Sequence, residues 1–593
     1  MAANRSPSRG PAGSGNTPGR FPLGWRPFGR SGWQPFGRSG GALDGQRILL
    51  AVIAVYVVGL CALPLLRLFT EGTGGDLWTA LSDPATLAAT RRTVVAGLGA
   101  TALSVVLGGS MALLVALTNP RLKTLLVFLL LLPMLIPAQI SALAWLELTG
   151  PSSTILGPLG LAPPPGTRNW LYSREGIILL MGIEHSTMVF LAVRAGLRAL
   201  PGDLVEAARA AGAGPFTILW HIILPLLRPS LVAGAALAFV AAIGNFGIPA
   251  LLGIPGRYTL LTALVYQRLS GFGPSVLGEV AALSLILAAL AGVGLLLQAI
   301  AKGKGRVAIA SDGTTIAPYE LGRWRLAVEA LVWVVLMVIS VIPLFALIGA
   351  SLIPALGVPL TFSNASLTNY ATALGTGAVR RSFLNSAWLA GAAALVTPLV
   401  AVPLAYAVVI RQSRVARILD TLADIPFALP GIVVSIACIL TFLPPLPGLG
   451  VSLYGTAWII LFAYLARFLA LGLRPAVAGM ANIDPALEEA GRIAGVGPLR
   501  RLTRIILPMA APTAAAGSLL IFMSAYNELT VSALLWSTGH ETIGVMIFNL
   551  YDEGEATAAS AASVLSVLAT LAAAGAASLL ARRLPKGVLP WQA

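Results

Sequence analysis

Apolar runs of about 20 residues recur along this chain, and that is the length a helix needs to cross a lipid hydrocarbon core. We read about twelve such spans, at 48–69, 93–117, 124–148, 176–197, 226–253, 277–301, 326–352, 383–410, 418–443, 456–477, 508–535 and 558–581. Inside lipid the backbone must satisfy its own hydrogen bonds, which leaves helices or closed barrels. Runs of this length and apolarity are helical, so the expected fold class is all-α, a polytopic membrane protein.

The net charge of +16 would suit a nucleic-acid binder, but its placement argues otherwise. With the N-terminus placed inside, 29 of the 39 Lys and Arg fall in or beside segments on the cytoplasmic side, and 8 on the external side. This positive-inside bias puts both termini in the cytoplasm and makes the basic charge topological; no nucleic-acid partner is expected. Cys61 and Cys438 lie in separate spans and the three histidines are scattered, so no disulfide framework and no metal site is expected. Residues 1–47 are rich in Gly, Pro, Ser and Arg, with P-F-G-R-S-G at 27–32 and again at 35–40. They read as a disordered basic tail, without the apolar region of a signal peptide.

The chain repeats itself. One template, Glu, two small residues, three spacers, Gly, nine spacers and Ile-x-Leu-Pro, fits twice. The first copy sets Glu206, Ala207, Ala208 and Gly212 before Pro225, and the second sets Glu489, Ala490, Gly491 and Gly495 before Pro508. Helix formers run into a glycine stop, and a new helix is expected to open near each proline. The two copies are offset by 283, and Pro133 and Pro137 recur as Pro426 and Pro430 at an offset of 293. Six spans precede and six follow the polar linker 302–325, so the halves, 48–301 and 326–581, form a parallel repeat about an axis along the membrane normal. Residues 582–593 make a short cytoplasmic tail.

The doubled template resembles the EAA loop of permease subunits of type I ABC importers. In that family the loop is a coupling helix that docks into a separate ATPase. The resemblance therefore implies ATPase-coupling roles for Glu206, Ala207, Ala208, Gly212, Glu489, Ala490, Gly491 and Gly495. It implies two ABC ATPase copies and an extracytoplasmic substrate-binding protein as partners, and the bacterial cytoplasmic membrane as the location. The chain has no G-x-x-x-x-G-K-[ST] phosphate cradle, so it is read as a transport subunit, with no cofactor of its own and ATP and Mg on the partner ATPase. The stretches at 246–253, 262–266 and 527–535 are similar to fused permeases of Fe(III) importers, a look shared with permeases for thiamine and aminoethylphosphonate. Asn527 stands where many iron-type members have Lys. Ferric iron is the favoured cargo.

Ionisable groups in lipid are expensive and point to function. Glu184 and His185 lie in span four, and Arg467 occupies the position equivalent to Glu184 in span ten. An acid and a base so placed could face each other across the pseudo-two-fold axis, or pair with neighbouring helices as structural glue. Asn245 sits among Gly and Pro that interrupt span five, and Asn527 and Glu528 are its counterparts in span eleven; they are candidate gate or pathway residues, with a simple kink as the alternative. The stretch 537–557 carries four acids and no Lys or Arg and reads as an external loop, either docking a binding protein or merely solvated. The rival class is a proton-driven transporter using Glu184 and His185 as a relay. A membrane-embedded enzyme would need a clustered nucleophile, metal set or carboxylate pair, and the sequence offers none.

Overall fold

The computed structural model describes residues 40–74, 76–272, 276–304, 319–448 and 450–581. Most of the basic tail, the middle of the linker and the 582–593 tail lie outside the described residues. The first helix starts at Gly40, inside the stretch read as tail.

Among the described residues ten helices are long and apolar enough to cross a membrane, and two bent helix pairs raise the number to twelve if each pair counts as one span. The bent pairs fall in spans three and nine, read from the sequence as 124–148 and 418–443. Lys123–Leu135 and Ala138–Thr149 meet at 104°, and Arg414–Ala428 and Gly431–Phe442 meet at 112°. A residue before proline is pushed out of the helical region, and Ile136 and Leu429 are both extended ahead of Pro137 and Pro430.

Other prolines are absorbed without a break. Five short π-turns, Val58–Ala62, Leu219–Ile223, Pro249–Gly253, Met337–Val341 and Leu502–Ile506, each end two residues before a proline. A proline ring collides with the carbonyl four residues back, and in all five cases that carbonyl lies in the widened turn. Pro225 and Pro508 therefore do not open new helices, as the sequence suggested. Spans five and eleven start earlier, at Pro215 and Pro498, and pass through.

Two segments expected as external loops are helical and buried. Leu261–Phe272 follows the break in span five, and Ile543–Asp552 holds the equivalent place after span eleven. Leu261, Val265, Ile543 and Ile547 are at most 1% exposed. Glu541, expected in the acidic loop, is buried and accepts the Gly539 N–H at 2.9 Å.

The first span of each half packs on the opposite half. Ile53, Val57 and Cys61 of span one join a core with Ala401, Leu419, Leu473 and Leu502, and the Tyr56 hydroxyl donates to the Leu465 carbonyl at 2.9 Å. Span seven returns the exchange, with Val332, Leu336 and Leu347 in a core with Leu130, Leu143 and Ile218. Within each half, small residues let helices touch: a Cβ on Gly108 of span two would sit 2.1 Å from the Ser186 carbonyl oxygen of span four.

Candidate functional site

Four helix breaks meet at the centre of the molecule. Spans three and nine break at Pro137 and Pro430, while spans five and eleven stop at Gly244 and Tyr526. The contacts cross between halves. A Cβ on Gly244 would lie 3.4 Å from the Pro430 Cα, and the Gln139 side-chain amide donates to the Asn527 carbonyl at 3.4 Å. Gly247 packs directly on Gln139. Irregular backbone at membrane depth persists only where protein or water covers it, and here the breaks cover one another.

Each break between spans five and eleven and their short distal helices is capped by its own side chain. The Asn245 side-chain oxygen accepts the Ile248 N–H at 3.2 Å, and its amide donates to the Glu184 carboxylate at 2.9 Å. Glu528, 283 residues on, accepts the Val531 N–H at 2.8 Å and the Ser532 N–H at 3.2 Å. Arg467 donates to the Leu429 carbonyl at 3.0 Å, a group that the Pro430 break deprives of its helical partner. Glu184 and Arg467 thus do not pair across the axis. Each serves a break in its own half, Glu184 through the Asn245 side chain and Arg467 through the Leu429 carbonyl. Asn527 bonds Thr570 at 2.6 Å and Ser566 at 2.7 Å on span twelve. His185 is tied at 2.6 Å to the Met181 carbonyl of its own helix, not to Glu184, so the two do not form a relay.

Phe246, Tyr266 and Phe548 close the crossing on the side away from the doubled template, with ring centroids 5.1, 5.9 and 6.1 Å apart. Phe548 comes from the second half, so the plug is shared. On the other side a cavity of ≈ 80 Å³ lies among Met134, Leu135, Met523, Ser524 and Thr570.

The doubled template folds as two short helices, Gly202–Ala210 and Pro485–Ile493. Gly212 and Gly495 follow them at φ +82° and +73°, the left-handed turn that glycine takes without a Cβ penalty. Glu206, Glu489, Ala207 and Ala490 are exposed, Ala208 is half-buried and Gly491 is buried. Glu206 pairs with Arg209 at 2.9 Å, and the Arg209 guanidinium lies 4.2 Å from the Tyr319 ring at the end of the linker.

The sequence pattern of binding-protein-dependent transport system inner membrane components matches residues 104–302 and again 398–588. The chain belongs to this family. A probable ABC transporter permease of Sinorhizobium fredii is 30% identical over 428 residues, 70% of this chain and 73% of that protein. A ferric transport system permease of Actinobacillus pleuropneumoniae is 26% identical over 402 residues, 65% of this chain and 56% of that protein. A molybdenum transport system permease of Mycobacterium tuberculosis is 28% identical over 186 residues, 31% of this chain and 69% of that protein.

This ABC importer permease is therefore a fused one, with two family domains in one chain. Its central crossing contains Asn245, Asn527 and Glu528 as the sequence singled out, and adds Gln139 and the three aromatic rings. Those were missed because they carry no charge and break no pattern. The pairing of a break with the opposite half is invisible in one strand of sequence.

Proposed function

We propose that this permease forms the whole membrane part of an ATP-driven importer in a bacterial cytoplasmic membrane, with both termini in the cytoplasm. An external binding protein supplies the cargo, and two ATPase subunits grip the helices Gly202–Ala210 and Pro485–Ile493 from the cytoplasm. The observation that carries this reading is the pair itself: two exposed, glycine-terminated helices of one design, each leading directly into a span that ends at the central crossing. A push on either helix moves span five or eleven as a rod. The far end of each rod is Asn245 or Glu528, where the halves lock. Glu206 and Glu489 offer carboxylates for charge-assisted hydrogen bonds to the ATPase, Ala207, Ala208 and Ala490 keep the docking face low, and the inward-facing Gly491 lets its helix seat closely on Arg501.

Ferric iron is the cargo we favour. The ferric permease relative aligns over 65% of this chain, more than either half can hold, whereas the molybdenum permease aligns over 31% of it. In proteoliposomes with the ATPase and binding protein, Glu206→Lys or Glu489→Lys is expected to leave basal ATP hydrolysis near wild type and cut iron uptake at least tenfold. Wild-type uptake in both variants would defeat the coupling assignment, and ATP-driven uptake of another solute in place of iron would replace the cargo.

A further inference from the structure

On the side away from the coupling helices, a cavity of ≈ 240 Å³ opens between the halves. Glu147, Arg168 and Tyr172 line it from the first half and Tyr551 from the second. Glu147 is 8% exposed, and its carboxylate has no hydrogen bond or ion pair among the described residues. A buried carboxylate left without a partner is costly unless a cation or water meets it. The Tyr172 and Tyr551 hydroxyl oxygens lie 3.2 Å apart across the interface.

We propose that this cavity is a binding site for a hard trivalent cation, the ferric ion on its way to the gate, with Glu147, Tyr172 and Tyr551 as oxygen ligands. The inference rests on the ferric reading above and gives it a place. All three donors are hard oxygens, the type that hard cations select. Two oxygens about 3 Å apart fit adjacent corners of an octahedron with metal–oxygen bonds of about 2 Å. Each phenol that binds releases its proton to water, because a highly charged ion favours the anionic form of its ligand. The remaining coordination is left to water, and the cavity has room for several molecules at roughly 30 Å³ each.

The surrounding charge agrees. Asp552, Glu553 and Glu555 are exposed beside Tyr551, and none forms an ion pair among the described residues. Arg168 also lines the cavity, and its guanidinium, which donates to the Tyr172 and Pro255 carbonyls, each at 3.3 Å, keeps its positive charge. Arg174 is paired with Glu175 at 2.7 Å. Glu147 inside and the three carboxylates on the rim outnumber the one Arg168 guanidinium, a balance that favours cations over oxyanions.

The test is titration of the purified full-length permease, in detergent, with ferric nitrilotriacetate. A saturable visible band from phenolate-to-iron charge transfer is expected. It should vanish in Tyr172→Phe/Tyr551→Phe, and Glu147→Gln should weaken binding tenfold or more. Monodispersity and ATPase stimulation are checked on each variant, so that a misfolded chain is not mistaken for a lost ligand. No saturable band in the wild type, or a band that survives the double Phe variant, overturns the site. Uptake assays separate this from the cargo reading. ATP-driven iron uptake without the band removes the site and keeps the cargo, while the tyrosine-dependent band in a transporter that moves no iron keeps the site and removes the cargo.

Discussion

Glu488, not the neighbouring Glu489, is the glutamate that the fold buries. It is 9% exposed, and one carboxylate oxygen accepts both the Arg501 Nε–H and the Tyr406 hydroxyl at 2.9 Å. Arg501 also donates to the Val496 carbonyl just past the Gly495 turn. The positions 283 residues earlier are Val205 and Ile218, both fully buried, so the second half uses an ion pair where the first uses an apolar contact. Gly491 makes room for it, since a Cβ there would lie 3.0 Å from Arg501 Cδ. Stranding one partner of a buried pair costs about 3–5 kcal/mol, whereas replacing both with apolar groups is often neutral. Glu488→Gln or Arg501→Met should therefore lower the melting temperature clearly, and Glu488→Val/Arg501→Ile should restore it to near wild type. A double variant as unstable as either single one would count against the pair. The Glu-Glu dipeptide was plain in the sequence, but which member turns inward depends on the helix face set by Tyr406 on another span.

At the level of elements, proline shows how far the sequence could be read. The repeat L-P-x-x-I-P and I-P-x-x-L-P identified equivalent segments, yet it gave no sign of the turns of 104° and 112°. Pro133 and Pro426 stay inside helices, Pro137 and Pro430 end them, and five others are absorbed by π-turns. The choice depends on what the freed carbonyls meet, as when Arg467 reaches Leu429. Glycine was more legible. Gly212 and Gly495 were read as helix stops and both take positive φ. Gly495→Ala should cost about 1–2 kcal/mol locally, because nothing lies within 4 Å and only the left-handed backbone is penalised. We expect membrane insertion to be unchanged and the ATPase to dock more weakly; unchanged docking would show that the turn does not set the helix. Gly108→Ala should be far worse, since its Cβ would overlap the Ser186 carbonyl, and a large fall in thermal stability is the readout.

Across the whole molecule, the two halves are hooked together by their exchanged first spans as well as joined by the linker. Twelve spans and a parallel repeat were readable from hydropathy, charge placement and the doubled template, because those are local patterns. The exchange was not, because every apolar span looks equally able to pack on its own half. If the chain is cut within 305–318, the co-expressed fragments should purify as one complex, while 1–304 alone should aggregate. Fragments that are each monodisperse alone would contradict the interlock. The central claim, that ATP hydrolysis drives import through the two loop helices, is tested most directly by uptake in proteoliposomes holding this chain, its ATPase and its binding protein. The account predicts ferric uptake that requires ATP inside and binding protein outside, and that Glu206→Lys and Glu489→Lys each cut at least tenfold while hydrolysis continues. Uptake driven by a proton gradient without the ATPase would contradict it.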